Sequence, residues 1–313
     1  MIEVSAHLGL PPVPTYAATV LWNYRRIGHG NEPLQESNIQ TLLSFTGSPE
    51  EAGFFGTVLP IEECGAPLIP TMLLAIEAVR KQDTNQLIAC LQRATLTLAD
   101  MTSILPRMYR DCSQSFFYHK LRRFLDGTKS LASVGLPEGV LFEEYNGGRY
   151  RKYCGPSNAQ SSLFVFVDIV LGVEHDGEDC GQESPGQQSA KSAFLKSAEQ
   201  EMRLYMPQKH RQFLADVERM PKIKGFVRSR PEDVRLNFEY ENCLTALLQL
   251  RQAHIQMVAR YVVVMAKRGT SLEMVKSDSG GKRNAAGATG TGGTNAIEFL
   301  KSVRDSVIQA RDA

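Results

Sequence analysis

A histidine on the apolar face of a predicted helix, residues 233–266, has an arginine one turn before it and close to the same face. The apolar face of that helix is formed at helical spacing by Leu247, Leu250, His254, Met257, Val258 and Tyr261. Arg251 precedes His254 by one turn and lies close to this face. An imidazole is the commonest metal ligand, and a guanidinium pairs with carboxylates. The pair predicts either a haem site, with iron on the imidazole and a propionate on the guanidinium, or a core histidine held by hydrogen bonds.

Composition excludes several classes of protein. The 313 residues are 42% hydrophobic and carry a net charge of +1, so no strong overall field attracts nucleic acid or an anionic membrane. The first residues contain no basic segment followed by an apolar run, and the most apolar stretch, residues 163–173, is too short to cross a bilayer. We therefore expect a cytoplasmic protein with no nucleic-acid or membrane partner.

The cysteines and histidines form no familiar metal or redox motif. The six cysteines are widely scattered with no Cys-x-x-Cys pair, so zinc ribbons and thioredoxin-type sites are excluded and reduced thiols are expected. No two histidines are four residues apart, and no Gly-x-Ser-x-Gly segment occurs. The paired carboxylates Glu50–Glu51, Glu62–Glu63 and Glu143–Glu144 are predicted to be solvated surface charges. An enzyme with this sequence would rely on a cofactor for its chemistry.

Helical periodicity dominates the chain, which predicts an all-α fold with at most a short hairpin. Residues 67–98 predict one or two helices around a polar break at residues 81–84, and residues 116–125 predict a helix capped by Gly127. Further helices are predicted over residues 98–109, 160–173, 190–205, 210–219, 233–266 and 295–310. Residues 139–145 and 150–153 flank Asn146-Gly147-Gly148, the pattern of a hairpin.

Two polar stretches separate the helices. Residues 174–189 predict a surface loop, and residues 267–294 form a long segment rich in Gly, Ser and Lys before a C-terminal helix at 295–313. Its glycine-rich end, residues 286–294, lacks the Gly-Lys-Ser/Thr ending and the preceding strand of a phosphate-binding loop. It is therefore interpreted either as a flexible linker or as a lid over a small polar ligand.

Five segments, in order and at matching spacing, carry a resemblance to one family. They are Leu-Pro-Pro-Val-Pro-Thr-Tyr-Ala from Leu10, Gly-Phe-Phe from Gly53, Met-Arg-Leu-Tyr-Met-Pro-Gln-Lys-His-Arg-Gln-Phe-Leu from Met202, Leu-Arg-Gln-Ala-His-Ile-Gln-Met-Val from Leu250, and Gly-Thr-Gly-Gly-Thr from Gly290. With them the chain resembles the indoleamine 2,3-dioxygenases. The resemblance implies one helical catalytic domain over residues 1–313, beginning after the family's smaller N-terminal domain.

The resemblance also implies a set of site residues. His254 would bind the iron of haem b, Arg251 would meet a propionate, and Ser157 and Asn158 would lie over the haem edge. Arg122 would bind the substrate carboxylate and Thr291, in the lid, would contact the substrate's charged end. The distal pocket would be lined by Tyr16, Thr19, Val20, Phe54, Phe55, Val58, Phe117 and Leu125. Each residue also has a structural interpretation without a ligand. Phe54, Phe117 and Leu125 would then be core side chains, Arg122 would lie on a solvated helix face, and Ser157 would be a turn or N-cap residue.

Three positions depart from the family pattern. Val58 stands where the family often has a serine, and Thr19 stands where it has a cysteine. Asn158 replaces a smaller residue, so its amide is expected to crowd or hydrogen-bond near the haem. These changes leave oxygen handling and substrate choice open.

The implied activity is addition of O2 across the indole C2–C3 bond of L-tryptophan or another indoleamine, giving N-formylkynurenine. We expect a monomer. One alternative is a haem-binding sensor or signalling protein with little dioxygenase activity. The other is a related haem monooxygenase that inserts one oxygen atom into an indole.

Overall fold

Helices form most of the chain, as the hydrophobic periodicity predicts. A computed structural model describes residues 2–28, 32–143, 147–174, 197–268 and 296–312. Its α-helices are α1 (Ile2–Leu8), α2 (Pro49–Gly65), α3 (Leu68–Lys81), α4 (Thr84–Ile104), α5 (Arg107–Asp111), α6 (Gln114–Phe116), α7 (Arg122–Leu125), α8 (Ser162–Leu171), α9 (residues 197–203), α10 (Gln208–Glu218), α11 (Ile223–Arg228), α12 (Val234–Val258) and α13 (Ala296–Asp312). Short 3₁₀ turns lie at Glu36–Asn38, Thr128–Val134 and Asn158–Gln160, and π turns lie at Ala17–Leu21, Phe117–Leu121 and Ala259–Val263.

Two antiparallel hairpins are the strand structure of the described residues. Strands β3 (Val140–Phe142) and β4 (Arg149–Arg151) pair with Leu141 opposite Tyr150, which confirms the predicted hairpin. Strands β1 (Tyr24–Arg26) and β2 (Ile39–Thr41) form a second hairpin, so the expectation of at most one hairpin is wrong. All four strands have three residues, too few to show an alternating pattern. The sequence predicted β3 and β4 from the Asn-Gly-Gly turn between them, and no such short turn joins β1 to β2.

Helix α4 lies at the centre, packed against α3 and α12. The break between α3 and α4 arises because Gln82 takes a left-handed conformation, φ 59°, and Asp83 then caps α4 by accepting a 2.9 Å hydrogen bond from the Gln86 amide. The side chains of Leu87, Leu91 and Leu98 on α4 are almost fully buried. The predicted polar break at residues 81–84 is thereby confirmed.

Helices α2 and α3 together span Pro49–Lys81, a run long and apolar enough to cross a membrane by length and composition. Half of the most apolar 18 residues in this run are buried inside the fold, and Leu68 and Met72 of α3 have no exposed surface. Apolar helices that bury this much surface are typical of a protein core. Packing of α2 and α3 in the core therefore explains why this run is apolar.

The predicted cap at Gly127 is wrong in its geometry. The helix ends at Leu125, and Gly127 has extended backbone angles, φ −79° and ψ 174°, rather than left-handed ones. A Cβ at this position would lie 2.3 Å from both the Gly155 nitrogen and the Tyr153 oxygen. Glycine is therefore required here because two backbone segments cross in contact.

The paired carboxylates are mostly structural rather than solvated. Glu51 is buried and accepts four hydrogen bonds of 2.6–2.8 Å from Ser44, Phe45 and Thr46. Glu50 accepts from the Ser113 amide at 2.9 Å, and Glu63 pairs with Arg26 at 2.7 Å. Only Glu143, which is exposed, fits the prediction among these, while Glu144 lies outside the described residues.

The cysteines that the structure describes are free thiols, as expected: Cys64, Cys90, Cys112, Cys154 and Cys243. Several predictions fall outside the described residues. These are Cys180, nearly all of the surface loop at 174–189, the start of the helix predicted at 190, and the glycine-rich segment with Thr291.

Candidate active site

His254 lies near the C-terminal end of α12 and is partly buried, whereas Leu250 and Ile255 on the same helix are buried. Desolvation of the charged form lowers the pKa of His254 to about 4. The imidazole is therefore neutral at physiological pH. Its Nε2 atom lies 3.3 Å from the amide nitrogen of the exposed Asn158. His254 therefore makes the hydrogen bond that a core histidine would need, but it makes it at the surface of the fold.

Asn158 belongs to the loop formed by residues 155–161, which is fixed on both sides. Gly155 touches the end of α7, because a Cβ there would lie 1.9 Å from the Leu125 oxygen. The Gln160 side chain donates to the Gly155 oxygen at 2.8 Å and accepts from the Tyr16 amide at 2.9 Å. The 155–161 loop thus brings together Tyr16, Leu125 and His254, three of the predicted site residues.

Ser157 caps the short 3₁₀ turn within this loop. Its hydroxyl accepts a 3.3 Å hydrogen bond from the Ala159 amide, as the turn interpretation expects. This cap and the Gln160 contacts hold the backbone on both sides of Asn158.

An aromatic wall is formed by Phe54, Phe55, Phe117 and Tyr261. The Phe54 and Phe117 rings stack at 5.3 Å, and Phe55 meets Phe54 edge-on at 5.2 Å. Tyr261 meets Phe117 at 5.6 Å and donates to the Met108 and Cys112 oxygens at 2.8 and 2.6 Å. The structure thus brings together the three predicted phenylalanines.

Tyr261 was not among the predicted site residues, although the sequence carried a signal for it. It lies seven residues after His254, two turns along the same helix face. The aromatic wall is therefore attached to the element that carries the histidine.

All three π turns of the described chain lie at this site. The first holds Thr19 and Val20, the second begins at Phe117, and the third holds Tyr261. A π turn inserts one extra residue and redirects the side chains around it, and such turns are frequent at functional sites. Their coincidence here supports the choice of these residues.

The side chains of Thr19, Val20 and Val58 are all buried. The Thr19 hydroxyl donates to the Thr15 oxygen at 2.9 Å. Val58 follows Phe54 by one turn of α2, so both lie on the same face. Gly53 lets α2 approach α5, because a Cβ there would lie 2.2 Å from the Asp111 oxygen.

Glu62 joins the site through Tyr16, whose hydroxyl donates to Glu62 Oε1 at 2.8 Å. Burial raises the pKa of Glu62, with weaker opposing effects from Ser161 and Tyr16, and burial raises the pKa of Tyr16 as well. The Ser161 hydroxyl is buried near this carboxyl, with no hydrogen bond of normal geometry in the described structure. The sequence signal for Glu62 was its spacing, since Phe54, Val58 and Glu62 recur every four residues.

Arg122 is buried rather than on a solvated helix face. Its guanidinium lies 4.0 Å from the Asp126 carboxylate and 5.4 Å from the centre of the Tyr118 ring. Burial raises the pKa of Asp126, and the Arg122 charge opposes that shift. The role of Arg122 in binding a substrate carboxylate stays a prediction.

Arg251 ties three helices together. One terminal nitrogen of its guanidinium donates to both oxygens of the buried Asp168 on α8, and the other donates to the Val303 oxygen of α13 at 2.7 Å. The propionate role of Arg251 stays a prediction. Sequence reasoning missed Asp168 as its partner, although a lone carboxylate in the apolar run of residues 163–173 was the signal.

Comparison with known proteins assigns this arrangement to a family. A family model for indoleamine 2,3-dioxygenase matches residues 1–310. The chain belongs to the indoleamine 2,3-dioxygenase family. The resemblance seen in the sequence is confirmed, and with it an all-α enzyme of the 2,3-dioxygenase type.

Individual relatives span fungi and mammals. A 6-hydroxytryptophan 2,3-dioxygenase of Fusarium equiseti is 46% identical over all of this chain and 74% of its own length. An indoleamine 2,3-dioxygenase of Aspergillus candidus is 36% identical over 98% of this chain and 72% of its own length. Mouse indoleamine 2,3-dioxygenase 1 is 34% identical over 98% of this chain and 70% of its own length.

The indoleamine 2,3-dioxygenases are haem proteins, and the residues present here fit a haem. His254 offers a neutral imidazole, and its Nε2 meets an exposed amide rather than a buried partner. A neutral imidazole is the form that binds iron, and the hydrogen bond at Nε2 comes from an exposed side chain that iron would have to replace. Arg251 uses its two terminal nitrogens for Asp168 and Val303, so its position supports the helix that carries His254.

Proposed function

We propose that this chain binds haem b through His254 and opens the indole ring of a tryptophan-type substrate with O2. The observation that carries the proposal is the neutral, partly exposed His254 near the end of α12, seven residues before Tyr261 in the π turn that follows. Tyr261 in turn packs on the Phe117 and Phe54 rings. A ligand for iron and an aromatic surface for an indole therefore lie on connected elements.

The bound haem would supply the oxygen chemistry, and the chain's own residues would position the substrate. The rings of Phe54, Phe55 and Phe117 would pack against the indole and exclude water. The Arg122 guanidinium would pair with the substrate carboxylate, in exchange for its 4.0 Å contact with Asp126. A fixed indole and a fixed carboxylate together define the orientation of the C2–C3 bond.

We propose a ring-hydroxylated tryptophan as the preferred substrate, with L-tryptophan as a second substrate. The support is the 46% identity to a relative named as a 6-hydroxytryptophan 2,3-dioxygenase. Thr19 also supports it, because the resemblance implies a cysteine at this position and a hydroxyl makes the pocket more polar. We also propose a cytoplasmic location, which the free thiols of the described cysteines support.

The test is reconstitution with hemin followed by turnover with ascorbate and a mediator dye. L-Tryptophan and 6-hydroxy-L-tryptophan are compared at equal concentrations, and products are identified by mass. A product heavier by one O2 supports the proposal, and a larger kcat/KM for the hydroxylated substrate supports the substrate choice.

The variant His254→Ala tests whether His254 is the ligand of the haem iron. We expect it to lose the Soret band, since no imidazole remains at that position to bind iron. An unchanged Soret band would rule out His254 as the ligand. A product heavier by one oxygen atom would indicate a monooxygenase, and a normal haem spectrum without product would indicate a haem-binding protein.

A further inference from the structure

Asn158 is placed against the atom of His254 that the proposed function requires for iron. Its amide nitrogen lies 3.3 Å from His254 Nε2. An amide nitrogen donates hydrogen bonds, so Nε2 accepts through its lone pair. Iron needs the same lone pair, and the two partners are therefore mutually exclusive.

The backbone around Asn158 is fixed, whereas its side chain is exposed. The Gln160 amide donates to the Ser157 oxygen at 2.9 Å, and the Ser161 amide donates to the Asn158 oxygen at 3.0 Å. Gln160 is further held by Tyr16 and Gly155. Replacement of this hydrogen bond by iron therefore needs the Asn158 side chain to rotate, while the backbone of the 155–161 loop stays in place.

We infer that Asn158 blocks the His254 Nε2 atom in the haem-free protein and that its side chain must rotate away before haem is bound. This inference rests on the proposed function, because it takes His254 as the haem ligand. Asn158 thereby slows haem loading and weakens haem affinity.

The test is hemin binding to the apoprotein, followed at the Soret band. Asn158→Ala removes the amide, and Asn158→Ser keeps a polar group that is too short to reach Nε2. Both are expected to bind hemin with an association rate and an affinity about fivefold higher, the factor of one net hydrogen bond. Haem dissociation, measured by transfer to apomyoglobin, is expected to stay unchanged. Asn85→Ala, the same truncation at an exposed position of α4, is the control and should match the wild type.

A second readout needs no haem. Diethylpyrocarbonate modifies a free imidazole nitrogen, so His254 in the apoprotein should react faster in both Asn158 variants, as measured by peptide mass. An unchanged association rate and an unchanged modification rate would overturn the inference, as would faster haem dissociation alone. If His254→Ala binds hemin like the wild type, the proposed ligand fails, and the modification rate still decides whether Asn158 blocks the His254 Nε2 atom.

Discussion

The Tyr16 hydroxyl donates a 2.8 Å hydrogen bond to Glu62 Oε1 and so joins the turn before β1 to helix α2. Burial raises the pKa of Glu62, and the contacts with Ser161 and Tyr16 only partly oppose that shift. The folded chain therefore favours the protonated carboxyl more than the unfolded chain does. This difference stabilises the fold below the ordinary pKa of a glutamate and is lost as pH rises through the raised pKa.

Glu62→Gln is expected to raise the melting temperature at pH 7.5, because the amide oxygen still accepts from Tyr16 without a buried charge. The gain over the wild type should shrink as the pH falls towards the ordinary range of a glutamate, where the wild-type carboxyl is itself protonated. Thermal melts of both proteins between pH 4.5 and 8 check this. A gain that is constant over that range would contradict the assigned burial effect.

The pKa of Glu51 is shifted in the opposite direction to that of Glu62. Burial acts to raise the pKa of Glu51, but the hydrogen bonds from Thr46, Phe45 and Ser44 outweigh it and lower the pKa. Its stabilisation is therefore present above the ordinary pKa of a glutamate and is lost as pH falls through the lowered value. Glu51→Ala at pH 7 should lower the free energy of unfolding by about 3 kcal/mol, because several donors of residues 44–46 lose a charged acceptor.

Glu77→Ala is the matched control for Glu51. Its carboxylate is 44% exposed and pairs with Lys81 at 3.3 Å on the surface of α3. A surface pair of this kind contributes about 0.5 kcal/mol or less. Urea unfolding at pH 7 of the two variants measures both values, and similar losses would refute a special role for Glu51.

The sequence predicted α3, α4 and α12 because their apolar faces repeat over many turns. It did not predict α2, because residues 55–61 are buried in unbroken succession and leave no one-sided apolar repeat. The break between α3 and α4 was visible because a polar run interrupts that repeat. Helices α1 and α11, with seven and six residues, are too short for the repeat to stand out. The predicted Gly127 cap failed for another reason: close contact with Gly155 and a left-handed cap both require glycine, and the sequence does not distinguish them.

The site was predicted unevenly for similar physical reasons. The resemblance selected Phe54, Phe55 and Phe117, which the structure brings together. It did not select Glu62 or Asp168, because their importance comes from burial beside Tyr16 and Arg251. Such partners are distant in sequence and meet only when the helices pack, where a buried charged group needs a partner.

Gly127→Ala should destabilise the protein by about 3 kcal/mol, because the new Cβ would meet the Gly155 and Tyr153 backbone at 2.3 Å. Neither contact can move as a flexible side chain would. Gly225→Ala is the control, since no atom lies within 4 Å of its Cβ position and it lies within α11. That variant should gain about 0.5–1 kcal/mol from helix propensity. Chemical denaturation compares the two, and an equal effect at both positions would reject the close contact at Gly127.

Arg122→Ala is expected to raise KM for tryptophan and lower kcat/KM by roughly tenfold to a hundredfold, the effect of one hydrogen-bonded ion pair. Tryptamine lacks the carboxylate, so its kcat/KM should be nearly the same in the variant and the wild type. Arg122→Lys keeps the charge but loses the paired geometry, so its loss for tryptophan should be intermediate. Arg123→Ala is the control, because Arg123 is the next residue and is exposed. If Arg122→Ala lost equal activity with both substrates while keeping its Soret band, Arg122 would serve the pocket through its contacts with Asp126 and Tyr118 rather than by binding the carboxylate.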